Sequence, residues 1–268
     1  MEYVELDEEA IESIRGRDLD EPIAMINLLK FRDVADPTLG LGATSGRDCY
    51  FGYYGAGVSP IANRLATGLS PLYLNDVNSC FFATVGEDWD YLLIPQYPSR
   101  RSFIEMITDS EYREVLKYRS GSLANSRLIE CVSEPPTGYP LNLSAPLPAD
   151  PVVERPGLFR DQRVNDVNNR DPEQPTDMLN LVRIAAKTTA GYGVDDMTGV
   201  EGYESYKNGV AWSYAERAGV EITWQAFPVA TLIGPTDERW DEALMYHYSS
   251  RSKMLSMFGD ADDYRVNH

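Results

Sequence analysis

Residues 25–31, with the sequence Met-Ile-Asn-Leu-Leu-Lys-Phe, decide how the chain folds, because a related heptapeptide, Met-Leu-Asn-Leu-Val-Arg-Ile, occupies residues 178–184. Each copy places an asparagine, Asn27 or Asn180, inside an apolar run. Because alternate residues of a strand point to opposite faces, both faces of each copy are apolar, which predicts a strand covered on both sides. A buried asparagine must find hydrogen-bond partners, so each one either bonds to neighbouring backbone or lines a polar cavity.

The two heptapeptides belong to a longer repeat. Tyr50 and Tyr203 are 153 positions apart, as are the two asparagines, while Trp89 and Arg100 recur as Trp240 and Arg251, 151 positions later. Matches in the same order with a drift of two residues predict an internal duplication.

The first copy predicts the order strand, helix, strand, strand, helix, strand, which is the split βαβ or ferredoxin-like order. Apolar periodicity, prolines and capping residues place strands at 23–32, 71–85, 89–97 and 126–131, and helices at 5–16, 47–66, after Ser99, and 110–118.

The stretch 133–175 interrupts this pattern with nine of the 17 prolines of the chain. Its length and composition predict an extended linker between a first unit, residues 1–132, and a second unit, residues 176–268. The second unit ends before any counterpart of the strand at 126–131 and is expected to expose a sheet edge. Residues 157–164, the N-terminal segment or another subunit are the predicted cover for this edge.

The charge and hydropathy of the chain exclude several classes of partner. A net charge of −18 argues against nucleic acid and anionic membrane surfaces, which bind cationic proteins. No apolar run reaches the ~20 residues that span a bilayer. The acidic N-terminus lacks the pattern of a signal peptide, so a cytoplasmic location is expected.

The combination of Asn-Leu-Leu-Lys-Phe, Trp-Asp, Tyr-Pro-Ser-Arg and Asp-Ser-Glu-Tyr-Arg in the first unit resembles the bacterial family of unknown function numbered 1330, of the dimeric α+β barrel superfamily. The second unit resembles a diverged copy. The resemblance implies an α+β fold in which tandem ferredoxin-like units form a dimeric α+β barrel within one chain and enclose a cavity. The superfamily includes cofactor-free monooxygenases, isomerases, cyclases and haem enzymes, so the fold does not select a reaction.

His247 is the leading candidate for chemistry. It lies at the position that matches Gln96 and shares a predicted strand face with Met245. If this face lines the cavity, His247 is placed to transfer protons near neutral pH, or to bind a haem iron. A histidine at a strand end that bonds only to backbone or solvent fits the same sequence.

Other candidates also have structural alternatives. Asn27 and Asn180 are candidate catalytic donors to a carbonyl or enolate oxygen. Tyr50 and Tyr203 are candidate substrate contacts, although tyrosines on an apolar helix face usually pack against a sheet. The remaining candidate substrate-binding residues are Gln96, Arg100 and Arg251, although a solvated salt bridge is the more common role for arginines such as the last two.

The sequence therefore predicts a cofactor-independent enzyme, a proton-transfer isomerase or cyclase or an oxygenase, that acts on a small apolar oxygenated molecule in the barrel. A binding protein without catalysis is the first alternative, and a haem or metal enzyme that uses His247 is the second. No metal site is predicted. A homodimer of such chains is a further expectation.

Overall fold

The computed structural model describes residues 3–83, 87–134, 158–159, 167, 169–188, 197–208 and 219–259. The chain divides into two units. Unit 1 comprises Met1–Cys80, Gly86–Val132 and Pro228–Glu238, and unit 2 comprises Phe81–Val85, Ser133–Phe227 and Arg239–His268. The predicted divisions at residues 132 and 176 remain a prediction.

The strands of the described residues are β1 (Ile23–Phe31), β2 (Ser70–Asp76), β3 (Phe82–Ala83), β4 (Tyr91–Tyr97), β5 (Leu123–Glu134), β6 (Leu158–Phe159), β7 (Thr176–Val182), β8 (Glu221–Ile233) and β9 (Glu242–Tyr248). The α-helices are α1 (Glu8–Arg15), α2 (Gly46–Cys49), α3 (Ala56–Leu65), α4 (Arg100–Thr108), α5 (Ser110–Ser122), α6 (Gly199–Tyr206) and α7 (Arg251–Gly259). A π-helical segment, Tyr50–Gly55, joins α2 to α3. The chain is thus a mixed α/β protein, whose seven-stranded sheet has the order β2-β4-β1-β5-β8-β9-β7.

Strand β1 lies at the centre of unit 1 because both of its faces are apolar. It pairs antiparallel with β4 on one side and with β5 on the other. Met25 packs into the main core with Tyr97, and helix α4 covers the same face through Phe103. The core also includes Leu232 and Ile233 at the end of β8, which the sequence alone did not assign to unit 1.

In unit 2 the first part of β8 pairs with β9, and β9 pairs with β7, all antiparallel. One face of β9 packs Leu244, Tyr246 and Tyr248 against Met254 of α7. Within the described residues β9 is the strand that pairs with β7, so β7 has an unpaired edge there. The short strand in the predicted linker, β6, pairs with β3 and not with β7.

The helix starts of the two units share a local design. Ser45 caps α2 by accepting from the amide of Asp48, and Thr198 caps α6 in the same way from Glu201. A glycine follows each cap, Gly46 in α2 and Gly199 in α6, 153 positions apart. A Cβ atom at Gly199 would lie 1.6 Å from the carbonyl oxygen of Ala185, and one at Gly46 would lie 2.4 Å from that of Ser122.

Several predicted elements differ in extent from those observed. The helix predicted at 47–66 is interrupted by the π-helical segment, while Pro60 lies inside α3. The strand predicted at 71–85 is divided into β2 and β3, and β5 runs from Leu123 to Glu134, longer than predicted. Ser99 is the N-cap of α4, as predicted. The tandem ferredoxin-like arrangement itself remains a prediction.

Candidate functional site

The structure joins His247 to an acidic partner across the sheet of unit 2. Asp177 of β7 lies opposite His247 of β9 in the strand register. The Nδ1 atom of His247 is 2.7 Å from Oδ1 of Asp177, and the two side chains are 36% and 26% exposed. Since a carboxylate can only accept, Nδ1–H donates in this hydrogen bond. This leaves Nε2 as the ring nitrogen that a substrate could meet.

His247 lies on the face of β9 that is opposite to helix α7. Leu244, Tyr246 and Tyr248 pack against Met254 of α7, and His247 alternates with them along the strand. This agrees with the predicted grouping of His247 with Met245. The sequence prediction that His247 lines an enclosed cavity remains a prediction.

Asn180 does not share a face with His247. Asn180 pairs with Leu244, so it lies on the helix-covered face of unit 2, whereas His247 lies on the other face. Asn27 lies in unit 1, where its Nδ2 donates to the carbonyl oxygens of Met25, at 3.0 Å, and Leu93, at 3.4 Å. Backbone oxygens thus take up the amide hydrogens of Asn27.

Two other candidates lie in unit 1. Gln96 is half-buried on β4, where it pairs with Ala24 and Ser70. Tyr50 is buried against Leu29 and Leu123, and burial raises the pKa of its hydroxyl to about 12. Tyr50 is therefore part of an apolar cluster.

Arg100 and Arg251 hold equivalent segments in their own units. Arg100 contacts the carbonyl oxygen of Asp18 and donates to Glu21, whereas Arg251 contacts that of Asp171 and donates to Gln174. Both arginines are almost fully buried, at 1% and 3% exposure. The solvated salt bridge suggested from sequence is therefore wrong for both, because both guanidinium groups are buried. Arg100 forms ion pairs with Glu21 and with the buried Glu130.

Tyr203 leads to a buried polar cluster that the sequence analysis did not identify. Its hydroxyl donates to Oε2 of Glu242 at 2.9 Å, and Nε2 of Gln225 donates to Oε1 at 3.3 Å. The ammonium of Lys207 is 3.8 Å from Oε2 and 4.5 Å from the centre of the Tyr203 ring. We call these four residues the Glu242 cluster; Glu242 shares the helix-covered face of β9 with Leu244.

Burial changes the proton affinities within the Glu242 cluster. Burial raises the pKa of the Glu242 carboxyl above its usual range, although Lys207 and the hydrogen bonds oppose this change. It also lowers the pKa of the Lys207 ammonium, which the Glu242 carboxylate opposes. Burial thus disfavours the charged form of both groups.

Comparison of repeat positions could have revealed the Glu242 cluster. The positions 153 and 151 earlier hold Tyr50, Tyr54 and Tyr91, where unit 2 has Tyr203, Lys207 and Glu242. Two aromatic residues of unit 1 thus correspond to two buried ionisable groups in unit 2. An ionisable residue in one copy of a repeat at a position that is aromatic in the other copy indicates a buried polar site, which hydrophobic periodicity alone does not show.

The described residues contain neither a metal centre nor a membrane span. No group of three or more histidine, cysteine, aspartate or glutamate side chains within the described ranges is arranged to hold a metal ion. Among the helices in this part of the chain, none has the length and hydropathy needed to cross a bilayer.

Comparison with known proteins gives limited likenesses. The chain is similar to RPA0582 from Rhodopseudomonas palustris, a protein of unknown function, with 30% identity over 51% of this chain and 100% of that chain, and a TM-score of 0.46. The methylated form of RPA0582 gives the same TM-score and identity, with 98% of that chain covered. A protein from Thermus thermophilus, described as a novel haem-binding protein, gives 10% identity, coverage of 94% of this chain and 87% of that chain, and a TM-score of 0.41.

No protein-family model matches the chain, so the resemblance to family 1330 remains a prediction. No curated protein matches it.

Proposed function

We propose that the protein is a cofactor-independent enzyme that transfers a proton on a small, mostly apolar, oxygenated molecule, with His247 as the proton-transfer group. The observation that carries this proposal is the hydrogen bond of 2.7 Å between His247 Nδ1 and Asp177 Oδ1. The proposal concerns the face of β9 that is opposite to α7.

Asp177 gives His247 the properties that a general base needs. By accepting from Nδ1–H, the carboxylate fixes the ring orientation and the tautomer, and it stabilises the imidazolium that forms when Nε2 takes a proton. Nε2 would then remove a proton from carbon adjacent to a carbonyl group and return it at another atom, which is an isomerisation. The partial exposure of both side chains is compatible with entry of a substrate.

Deuterium incorporation into a panel of simple carbonyl compounds tests the proposal. The protein is incubated in D2O with small cyclic ketones and lactones, and exchange of their α-protons is followed by NMR. We expect catalysed exchange, and a loss of about 100-fold or more in His247→Gln, because general-base catalysis contributes roughly 10² to 10⁴. Asp177→Asn should also slow exchange, since Asn can stabilise the wrong tautomer.

His268→Gln is the matched control, because His268 is the other histidine of the sequence. Equal exchange in the wild type and His247→Gln would contradict the enzyme proposal. Ligand binding without exchange would favour the alternative of a binding protein. A Soret band in the purified protein that is lost in His247→Gln would favour a haem enzyme.

We also propose that the two units are diverged ferredoxin-like copies that form a pseudo-dimeric barrel. Support comes from hydrogen bonds that recur at the repeat offsets. Asp90 accepts from the amide of Phe31 at 2.8 Å, and Asp241 accepts from that of Ile184 at 2.6 Å. Superposition of residues 22–118 on 175–266 in an experimental structure is the check; different strand orders would contradict it.

The cytoplasmic location and a homodimer of chains also remain proposals. The unpaired edge of β7 within the described residues supports association. Cell fractionation and light scattering test them respectively.

A further inference from the structure

We propose that the Glu242 cluster is a second binding site in unit 2, for a small neutral molecule that carries a carbonyl oxygen next to a hydroxyl group. Its four members are Tyr203, Lys207, Gln225 and Glu242. The site lies on the α7-facing side of β9, so it is separate from the His247–Asp177 pair and does not depend on the function proposed above.

The ammonium group of Lys207 is a buried hydrogen-bond donor that is unused among the described residues. Lys207 is 1% exposed, and its Nζ atom has no hydrogen-bond partner among the described residues. The nearest carboxylate oxygen, Oε2 of Glu242, is at 3.8 Å, beyond hydrogen-bond distance. A buried ammonium group without an acceptor is costly, so an acceptor from a bound molecule would stabilise it.

Gln225, which also contacts the Glu242 carboxylate, carries a buried acceptor that is unused among the described residues. Gln225 is 2% exposed and donates its amide to Oε1 of Glu242, while its own Oε1 atom has no partner in the described part of the chain. A bound molecule must therefore accept from Lys207 and donate to Gln225. A hydroxyl group beside a carbonyl offers both functions on neighbouring atoms.

The charges of the Glu242 cluster favour a neutral ligand. The ammonium of Lys207 and the carboxylate of Glu242 balance each other, so an anion would meet Glu242 and a cation would meet Lys207 without compensation. A neutral ligand avoids both costs. Tyr203 already donates to Glu242, which leaves Lys207 and Gln225 as the groups that would recognise the ligand.

The repeated fold does not require polar groups at these positions. The corresponding positions in unit 1 hold Tyr54 and Tyr91 in place of Lys207 and Glu242. Residues 207–208 have the π-helical conformation, as do the matching residues 54–55 in the π-helical segment of unit 1. Such turns occur frequently at functional sites.

Binding of hydroxyacetone to the full-length protein tests the inference, with acetone as the matched ligand that lacks the donor. Saturation-transfer NMR titrations would measure both affinities. We expect hydroxyacetone to bind at least about tenfold more tightly than acetone, since the hydroxyl group satisfies Gln225. Lys207→Met and Gln225→Leu should each weaken hydroxyacetone binding by about tenfold or more. Lys253→Met, an exposed lysine, should leave it unchanged.

The wild-type comparison of the two ligands keeps the test valid if a variant fails to fold. Absence of hydroxyacetone binding, equal affinity for acetone, or unchanged binding in a folded Lys207→Met variant would overturn the inference. A crystal soaked with hydroxyacetone that shows only water between Lys207 and Gln225 would also overturn it. His247→Gln should retain binding, which separates this result from failure of the proposed enzyme function.

Discussion

Two fully buried glutamates, Glu130 in unit 1 and Glu242 in unit 2, have different partners. Glu130 accepts from Nε of Arg100 at 2.6 Å and pairs with Arg17. Glu242 has a lysine at 3.8 Å, which is too far for a hydrogen bond. Guanidinium groups can satisfy a carboxylate from several directions, so the Glu130 arrangement is complete. Around Glu242, by contrast, Nζ of Lys207 and Oε1 of Gln225 have no hydrogen-bond partner among the described residues.

Removing one partner of the Lys207–Glu242 pair should destabilise the protein more than removing both. Glu242→Gln leaves the Lys207 cation buried without a carboxylate, and Lys207→Met leaves the carboxylate without a cation. We expect each single change to cost about 3–5 kcal/mol of unfolding free energy. The double variant Lys207→Met/Glu242→Leu should cost clearly less than the two changes added. Urea unfolding measures all three, and additive costs would contradict the coupling.

The stability of the Lys207→Met variant should also depend more strongly on pH than that of the wild type. Burial raises the pKa of Glu242 in the folded protein above the usual 4.5, so the folded state keeps a proton that the unfolded chain releases. The contribution of Glu242 to the free energy of unfolding is then greatest below about pH 4.5, and it falls as the pH rises through the raised pKa. Loss of Lys207 removes an opposing effect and should steepen this fall relative to the wild type. Unfolding at a series of pH values checks this, and a flatter profile would contradict it.

At the scale of elements, the starts of α2 and α6 depend on close approach of the backbone. The glycine after each cap lies against backbone carbonyl oxygens, which cannot move as a flexible side chain can. A side chain would therefore displace the start of α2 from the backbone of Ser122 and Arg32, or the start of α6 from that of Ala185.

Gly199→Ala and Gly46→Ala should each destabilise the protein, although alanine is the better helix former by about 1 kcal/mol. The matched control is Gly52→Ala in the π-helical segment, because a Cβ atom there would have no neighbour within 4 Å among the described residues. We expect this control to be neutral or stabilising by about 0.5–1 kcal/mol. Thermal unfolding compares the three variants; a stabilised Gly199→Ala would show that the close approach is absent.

The sequence predicted elements where local signals were strong. Alternation and Pro22 located β1, and the cap at Ser99 located the start of α4. The assignment of the end of β8 to unit 1 was not predicted, because it depends on contacts between residues far apart in sequence. The pairing of His247 with Asp177 depends on the register of β7 and β9, which the heptapeptides did not specify. The burial of Lys207 was not predicted, because a single lysine in a helix is usually solvated.

At the scale of the whole molecule, the end of β8 makes the division of the chain discontinuous. Residues 228–238 belong to unit 1, although most of the surrounding sequence belongs to unit 2. Leu232 and Ile233 are 6% and 3% exposed and pack in the unit 1 core with Met25.

Leu232→Ala should therefore destabilise unit 1, with a cost of about 2–5 kcal/mol, because it leaves a cavity in that core. Val229→Ala is the matched control on the same strand, since Val229 is 42% exposed, and should change stability by less than about 0.5 kcal/mol. Hydrogen exchange at the amides of β1 and β5 is the readout. Unchanged protection of these amides in Leu232→Ala would contradict the assignment of β8 to unit 1.

The discontinuity of unit 1 also determines when this unit can complete its core during synthesis. A ribosome completes β5 at Glu134, but it must add roughly 100 more residues before the segment Pro228–Glu238 emerges. Because synthesis proceeds at about 5–20 residues per second, unit 1 lacks Leu232 and Ile233 for several seconds or more. Its core is incomplete during this interval and exposes apolar surface to which a nascent-chain chaperone can bind. The first unit of the sequence is therefore completed only when most of the second has been synthesised.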